Sequence, residues 1–199
     1  GIASLAMTAL AALPARRIVR AVADAARRWS DADFPPRVRV LDAIAQRTGY
    51  ALPHVEYALD RLFESLDARS LEATIADELG SIDALDDFVD RAGRPRARAL
   101  PAGAACVISS RTTIGVAIVP AAYALCAKCD VLVKDREDSL ASAFLATVVD
   151  NLEALRGAVE ARVWDGADRA CALSDFDAVV AFGSDAALGE IGARLEPEV

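Results

Sequence analysis

A single histidine, His54, is the whole supply of imidazole in this 199-residue chain. No Ser–His or Cys–His arrangement for nucleophilic catalysis can be drawn from it. Its plain reading is an exposed residue in a first helical turn, just after Pro53. Cysteine is scarce too: the four at positions 106, 126, 129 and 171 do not make a disulfide framework in a chain of this length. No apolar run approaches the roughly 20 residues of a membrane span. Basic residues are outnumbered, 22 against 30 acidic, and a net charge of −8 argues against a nucleic-acid partner, which needs a basic surface. Aromatics are only 6%, so aliphatic and small side chains must build the core. The opening "GIASLAMTALAAL" lacks both the basic start of a signal peptide and an initiator Met. Those absences point to a cytoplasmic protein and to a trimmed or partial chain.

What is present is a globular composition, 54% apolar and 26% charged. The first part reads as helix after helix. "PARRIVRAVADAARRW" puts Ile18, Val19, Val22, Ala26 and Trp29 on one face. "PPRVRVLDAIAQRTG" repeats the period through Val40, Leu41 and Ile44 and stops at Gly49. "LPHVEYALDRLFESL" opens with Pro53 and aligns Val55, Leu59, Leu62 and Phe63. "SLEATIADEL" and "IDALDDFVDRA" predict two shorter helices. Then "GRPRARALPAG" loses all periodicity and carries Arg94, Arg96 and Arg98 just after Arg91. It reads as a solvated linker, with contact to an anionic ligand as the alternative. The boundary divides a helical region, 1–98, from a second domain, 99–199.

Beyond it, short apolar runs ("ACVIS", "DVLVK", "EARVW", "DAVVAF") alternate with helical stretches. The longest of those starts at Ser139 as N-cap and carries Leu140, Phe144, Val148, Leu152 and Leu155 on one face. "ADRACALS" and "SDAALGEIGARL" supply the remaining helices. The expectation is an α/β chain: a helical N-terminal region, then a Rossmann-like parallel sheet of about four strands with helices on both faces. Ligands in such folds lie at the carboxyl ends of the strands. The candidates are therefore Ser109, Ser110, Arg111, Thr112 and Thr113 after the first strand and Lys134, Asp135, Arg136 and Glu137 after the second. Asp165 and Gly166 follow the third, and Gly183, Ser184 and Asp185 the fourth. Gly183-Ser184 at a strand-to-helix turn suits an anion, although Asp185 would hold a phosphate off. Lys134 and Glu137 either meet ribose hydroxyls or form a solvated charged loop.

Cys126 and Cys129 form a Cys-x-x-Cys pair. Their helical spacing with Val119 and Ala122 makes them part of a buried stripe. A zinc site would need two further ligands, and a redox pair would open a helix rather than close one. The expectation is packing, with no metal.

"DVLVKDRE" and "AVVAFGSDAALGEI" resemble the ribose-binding and strand-Gly-Ser-helix segments of the aldehyde dehydrogenase superfamily. With "RLFESLDARSLEATIADELG", the arginine-rich joint and "YALCAKCDVLVK" carrying Lys128 and Lys134, the chain is similar to its long-chain acyl-CoA reductase branch, related to the reductase of bacterial luciferase systems. The resemblance implies NAD(P)H-dependent reduction of an acyl thioester to an aldehyde. Cofactor contacts would come from Ser110, Arg111, Lys134, Arg136, Glu137, Gly183 and Ser184. It further implies that the nucleophilic cysteine lies beyond this chain, which would be the N-terminal part of a longer enzyme, inactive alone. Thr112 stands where the family has an oxyanion-binding Asn. Glu137 would favour NAD by repelling a 2′-phosphate, and Arg136 would favour NADP by accepting it. The implied partner is a small-molecule acyl thioester, with homo-oligomerisation left open. The competing reading is a non-catalytic binding or scaffold protein that keeps this fold.

Overall fold

The computed structural model describes residues 10–164 and 172–195. Four α-helices come first: α1 (Ala15–Trp29), α2 (Pro35–Thr48), α3 (Leu52–Glu64) and α4 (Ala68–Leu79). Their limits follow from local chemistry. Gly49 ends α2 at φ +74, a left-handed position where a side chain would be strained. Asp67 caps α4 by accepting from the Arg69 and Ser70 N–H groups. α1 has no cap of its own; the Asp86 carboxylate, far along the chain, accepts from Ala15 N–H at 3.0 Å and also pairs with buried Lys128 at 2.6 Å.

The segment expected to hold a fifth helix and a linker is built differently. Ile82–Leu85 is a single 3₁₀ turn, and β1 (Val89–Arg91) then pairs antiparallel with β2 (Arg94–Ala97). Gly93, at φ +68, turns the hairpin between Arg91 and Arg94. Helical period in "IDALDDFVDRA" was too short to compete once Asp86 was drawn to Ala15 and Lys128, and the linker arginines sit on an exposed hairpin.

After it come β3 (Ala104–Ile108), α5 (Ile118–Cys126), β4 (Asp130–Lys134), α6 (Leu140–Asn151), β5 (Val159–Arg162), β6 (Ala178–Ala181) and α7 (Asp185–Ala193). The four expected strands form one all-parallel sheet, order β5-β4-β3-β6. Central β3 and β4 are apolar on both faces and almost wholly buried, as a doubly covered parallel sheet requires, whereas edge strand β5 carries Glu160 and Arg162. Val107, Val131 and Val133 face the side covered by α5 and α6. Cys106 and Ile108 face the other, against Trp164, Leu173, Phe176 and Ile191 of α7.

The first of these cores is continuous with the N-terminal helices, because α1 lies against α6, α3, α4 and α5. The buried aromatics among the described residues, Trp29, Phe63 and Phe144, lie there. Trp29 stacks near Phe63 at 5.2 Å between centroids, and Phe63 near Phe144 at 5.3 Å. The Trp29 indole N–H reaches the Thr147 hydroxyl at 3.0 Å, so this deeply buried donor is satisfied.

Two helix ends depart from expectation. α6 stops at Asn151, and Leu155 belongs to a following 3₁₀ turn. Ser139 precedes α6 at φ +67 and makes no side-chain cap; Asp135 does that work by accepting from Ser142 N–H at 2.8 Å and its hydroxyl at 2.7 Å.

Candidate functional site at the carboxyl edge of the sheet

The chain runs from β3 outward through β4 to β5, then crosses back to place β6 on the other side of β3. The order therefore reverses between β3 and β6. Loops leaving two such strands diverge to opposite faces and open a crevice at their carboxyl ends. The turns after β3 and β6 flank it, and the turn after β4 lies one strand away.

Ser109 locks the β3 end. Its N–H and hydroxyl both donate to the Lys134 carbonyl, at 3.1 and 2.9 Å, and its Oγ accepts from Arg136 N–H at 2.8 Å. It is wholly buried, and its role is to join the two strand ends. Ser110 is buried and Thr112 exposed; their hydroxyls lie 2.9 Å apart, and Thr112 N–H donates to Ser110 Oγ at 3.2 Å. One hydroxyl donates to the other, which leaves the pair with one hydroxyl hydrogen for a ligand. The Arg111 side chain is exposed, and its carbonyl accepts from Arg47 of α2.

The β4 candidates separate. Lys134 is buried, with its ammonium 4.8 Å above the Trp164 ring. Asp135 is buried and accepts from Glu137 N–H in addition to Ser142. Arg136 alone of this run extends an exposed side chain. Glu137 turns inward: it is fully buried and accepts from the N–H groups of Gly115 and Ala117 at the entry to α5. Burial pushes its carboxyl up to about 7; the two backbone donors and nearby Arg47 act against that rise, and Asp135 adds to it. Gly115 permits this contact, since it sits at φ +70 and an added Cβ would fall 2.2 Å from Leu62 Cδ2.

After β6, Phe182 N–H donates to the Ile108 carbonyl at 3.0 Å, which holds the Gly183 turn beside the end of β3. Ser184 caps α7 by accepting from Ala187 N–H at 3.4 Å. The edge thus gathers Ser110, Arg111 and Thr112 with Gly183 and Ser184, and leaves Glu137 facing the protein interior. Asp165 and Gly166 lie outside the described residues.

Two participants gave no signal in the sequence. Arg47 is one of several charged residues in a helical segment, yet its Nε meets the Asp138 carboxylate at 2.5 Å. Asp138 precedes Ser139 in a rare pair of consecutive non-glycine residues with positive φ, +55 and +67. Only the tertiary packing of α2 against the sheet edge reveals either.

Cys126 is the last residue of α5, and Cys129 follows beyond a turn rather than continuing the helical stripe. Both are buried, and burial pushes the Cys126 thiol up to about 12. His54 is exposed in the first turn of α3. Among the described residues no helix is long and apolar enough to cross a membrane.

Residues 10–199 match the family model described as acyl-CoA reductase (LuxC). No curated protein matches the chain.

Proposed function

The chain belongs to the acyl-CoA reductase (LuxC) family, and from that premise we propose that it forms the dinucleotide-binding part of a reductase converting a long-chain acyl thioester to its aldehyde with NAD(P)H. The observation that carries this reading is the strand order β5-β4-β3-β6, whose reversal is flanked by the turns at residues 109–113 and 182–185. The residues fit such a cofactor. Gly183, whose missing Cβ would stand 3.3 Å from Ala187, lets a phosphate approach the backbone, and Ser184 opens a helix whose dipole favours it. Asp185 in the same turn keeps the phosphate toward Ser110 and Arg111.

The reduced nicotinamide, when bound, supplies the hydride. The chain's own residues orient it and stabilise charge. Thr112, bracketed by Ser110, is suited to donate to the oxygen of the reacting acyl group; one such donor is worth about 100- to 1,000-fold in rate. Cys106, Cys126 and Cys129 are buried, so thioester exchange requires a cysteine other than these.

Cofactor choice follows from the β4 turn. With the Glu137 carboxylate enclosed on the Gly115 and Ala117 amides, Asp135 buried on Ser142 and Asp138 paired with Arg47, exposed Arg136 is the group in this turn that offers a 2′-phosphate its guanidinium. The proposed preference is NADPH. A cytoplasmic setting accords with three free buried thiols among the described residues.

Titration calorimetry with NADPH and NADH tests the proposal. Saturable binding is expected, tighter for NADPH, with Arg136→Ala weakening NADPH about tenfold and leaving NADH unchanged. If neither dinucleotide binds at millimolar concentration, the reading fails, and a binding or scaffold role takes its place.

A further inference from the structure

We infer that Arg47, on the last turn of α2, is a positioning residue for the site at the carboxyl edge, a clamp by which the helical region sets the geometry of two loops of the sheet. Two hydrogen bonds carry the inference, and one electrostatic effect supports it. The Arg47 Nη1 donates to the Arg111 carbonyl, in the loop after β3. Its Nε donates at 2.5 Å to the Asp138 carboxylate, in the loop after β4. Its charge also lies near enough to Glu137 to favour that group's ionised form, and Glu137 in turn holds Gly115 and Ala117. One guanidinium therefore ties together three segments whose sequence positions are far apart.

The position is costly to maintain, which argues against simple filling of space. The Arg47 side chain is 8% exposed, and its Nη2 is buried without a hydrogen-bond partner. The loop it grips contains Asp138 and Ser139, both at positive φ, a backbone state that side chains disfavour and that surrounding contacts must hold. Arg111 and Thr112 cannot shift without breaking the carbonyl contact or the Ser110–Thr112 pair. A planar fork holds two donors, Nε and Nη1, at fixed and separate positions, one for each loop; an ammonium carries all its donors on a single nitrogen and cannot stand at both positions.

As a role in dinucleotide binding the inference rests on the function proposed above, so its test has one readout that needs no cofactor. In Arg47→Lys, amide hydrogen exchange should quicken at residues 109–117 and 135–140 and stay unchanged in β3 and β4. NADPH affinity should fall about tenfold. Asp138→Asn, which weakens only one of the two Arg47 bonds, should quicken exchange chiefly at 135–140 and lower affinity less than Arg47→Lys, and the double variant should fall short of the sum of the two singles, because they share that contact. Arg37→Lys is the control: Arg37 is a second buried arginine, bonded to the Trp29 carbonyl at 2.8 Å and Asp60 at 2.7 Å, away from these loops. It should lower Tm without changing the NADPH Kd. The clamp is overturned if exchange in the two loops is unaffected by Arg47→Lys. Its positioning role is overturned if affinity changes less than twofold, or no more than in Arg37→Lys. Loosened loops in a protein that binds no dinucleotide would support the clamp and overturn the functional reading instead.

Discussion

Glu137→Gln tests the reading of the edge through its electrostatics. The wild-type carboxyl is enclosed and faces two backbone donors, with Asp135 nearby adding repulsion and Arg47 the main opposing charge. Burial lifts its pKa from an ordinary 4.5 to about 7. The folded protein therefore holds this proton more tightly than the unfolded chain does. Stability from that source is complete below about pH 4.5 and is lost as pH rises through 7. Each tenfold change in proton affinity is worth ~1.4 kcal/mol, so a rise of this size corresponds to about 3 kcal/mol. Gln mimics the protonated side chain and still offers an oxygen to Gly115 N–H. In thermal or urea unfolding at fixed ionic strength, wild type and variant should lie within about 1 kcal/mol at pH 5. By pH 8 the wild type should have lost about 3 kcal/mol relative to the variant, a relative Tm change of roughly 6–12 °C for a chain of this size. Parallel stability profiles across pH 5–8 would refute the argument, since they would mean that Glu137 ionises as it does in water.

Three further tests probe the same architecture. Asp135→Ala removes acceptors for Glu137 N–H, Ser142 N–H and the Ser142 hydroxyl, and should cost about 2 kcal/mol in urea denaturation. Gly115→Ala forces a side chain onto φ +70 and against Leu62, for a loss of roughly 2–4 kcal/mol; adding Leu62→Ala should not restore stability, because the backbone penalty remains and a cavity is added. Cys126, its thiol pushed up to about 12 by burial, should resist iodoacetamide at pH 8 in the native state and react only at the rate of unfolding, followed by mass spectrometry. Fast native labelling of Cys126 would contradict its placement at the base of α5.

The helices and strands were legible where one local signal dominated. "DVLVK" is apolar with no competing period, and it forms β4 over Asp130–Lys134. Gly49 and Pro53 marked the end of α2 and the start of α3 because their backbone limits are intrinsic. Where partners come from elsewhere in the chain, local reading failed. Asp86 reads as one more residue of a helical run, yet its bonds to Ala15 and Lys128 leave a single 3₁₀ turn there. Ser139 has the composition of a cap, but Asp135, anchored at the end of β4, reaches Ser142 first.

By itself the sequence determined the alternation of buried strands with helices, and hence which loops leave the carboxyl edge: apolar period is a property of each segment, independent of its neighbours. It determined the set of polar residues on those loops as well. Only the tertiary structure decided which way each of them faces. Glu137 and Arg136 are adjacent and equally charged in magnitude, yet one closes onto the Gly115 and Ala117 amides and the other stays exposed. The physical reason is that the Gly115 and Ala117 N–H groups at the entry to α5 need an acceptor, which a carboxylate offers and a guanidinium, a donor only, does not. The same holds for Arg47, whose contacts with Arg111 and Asp138 exist only because α2 packs beside the sheet edge.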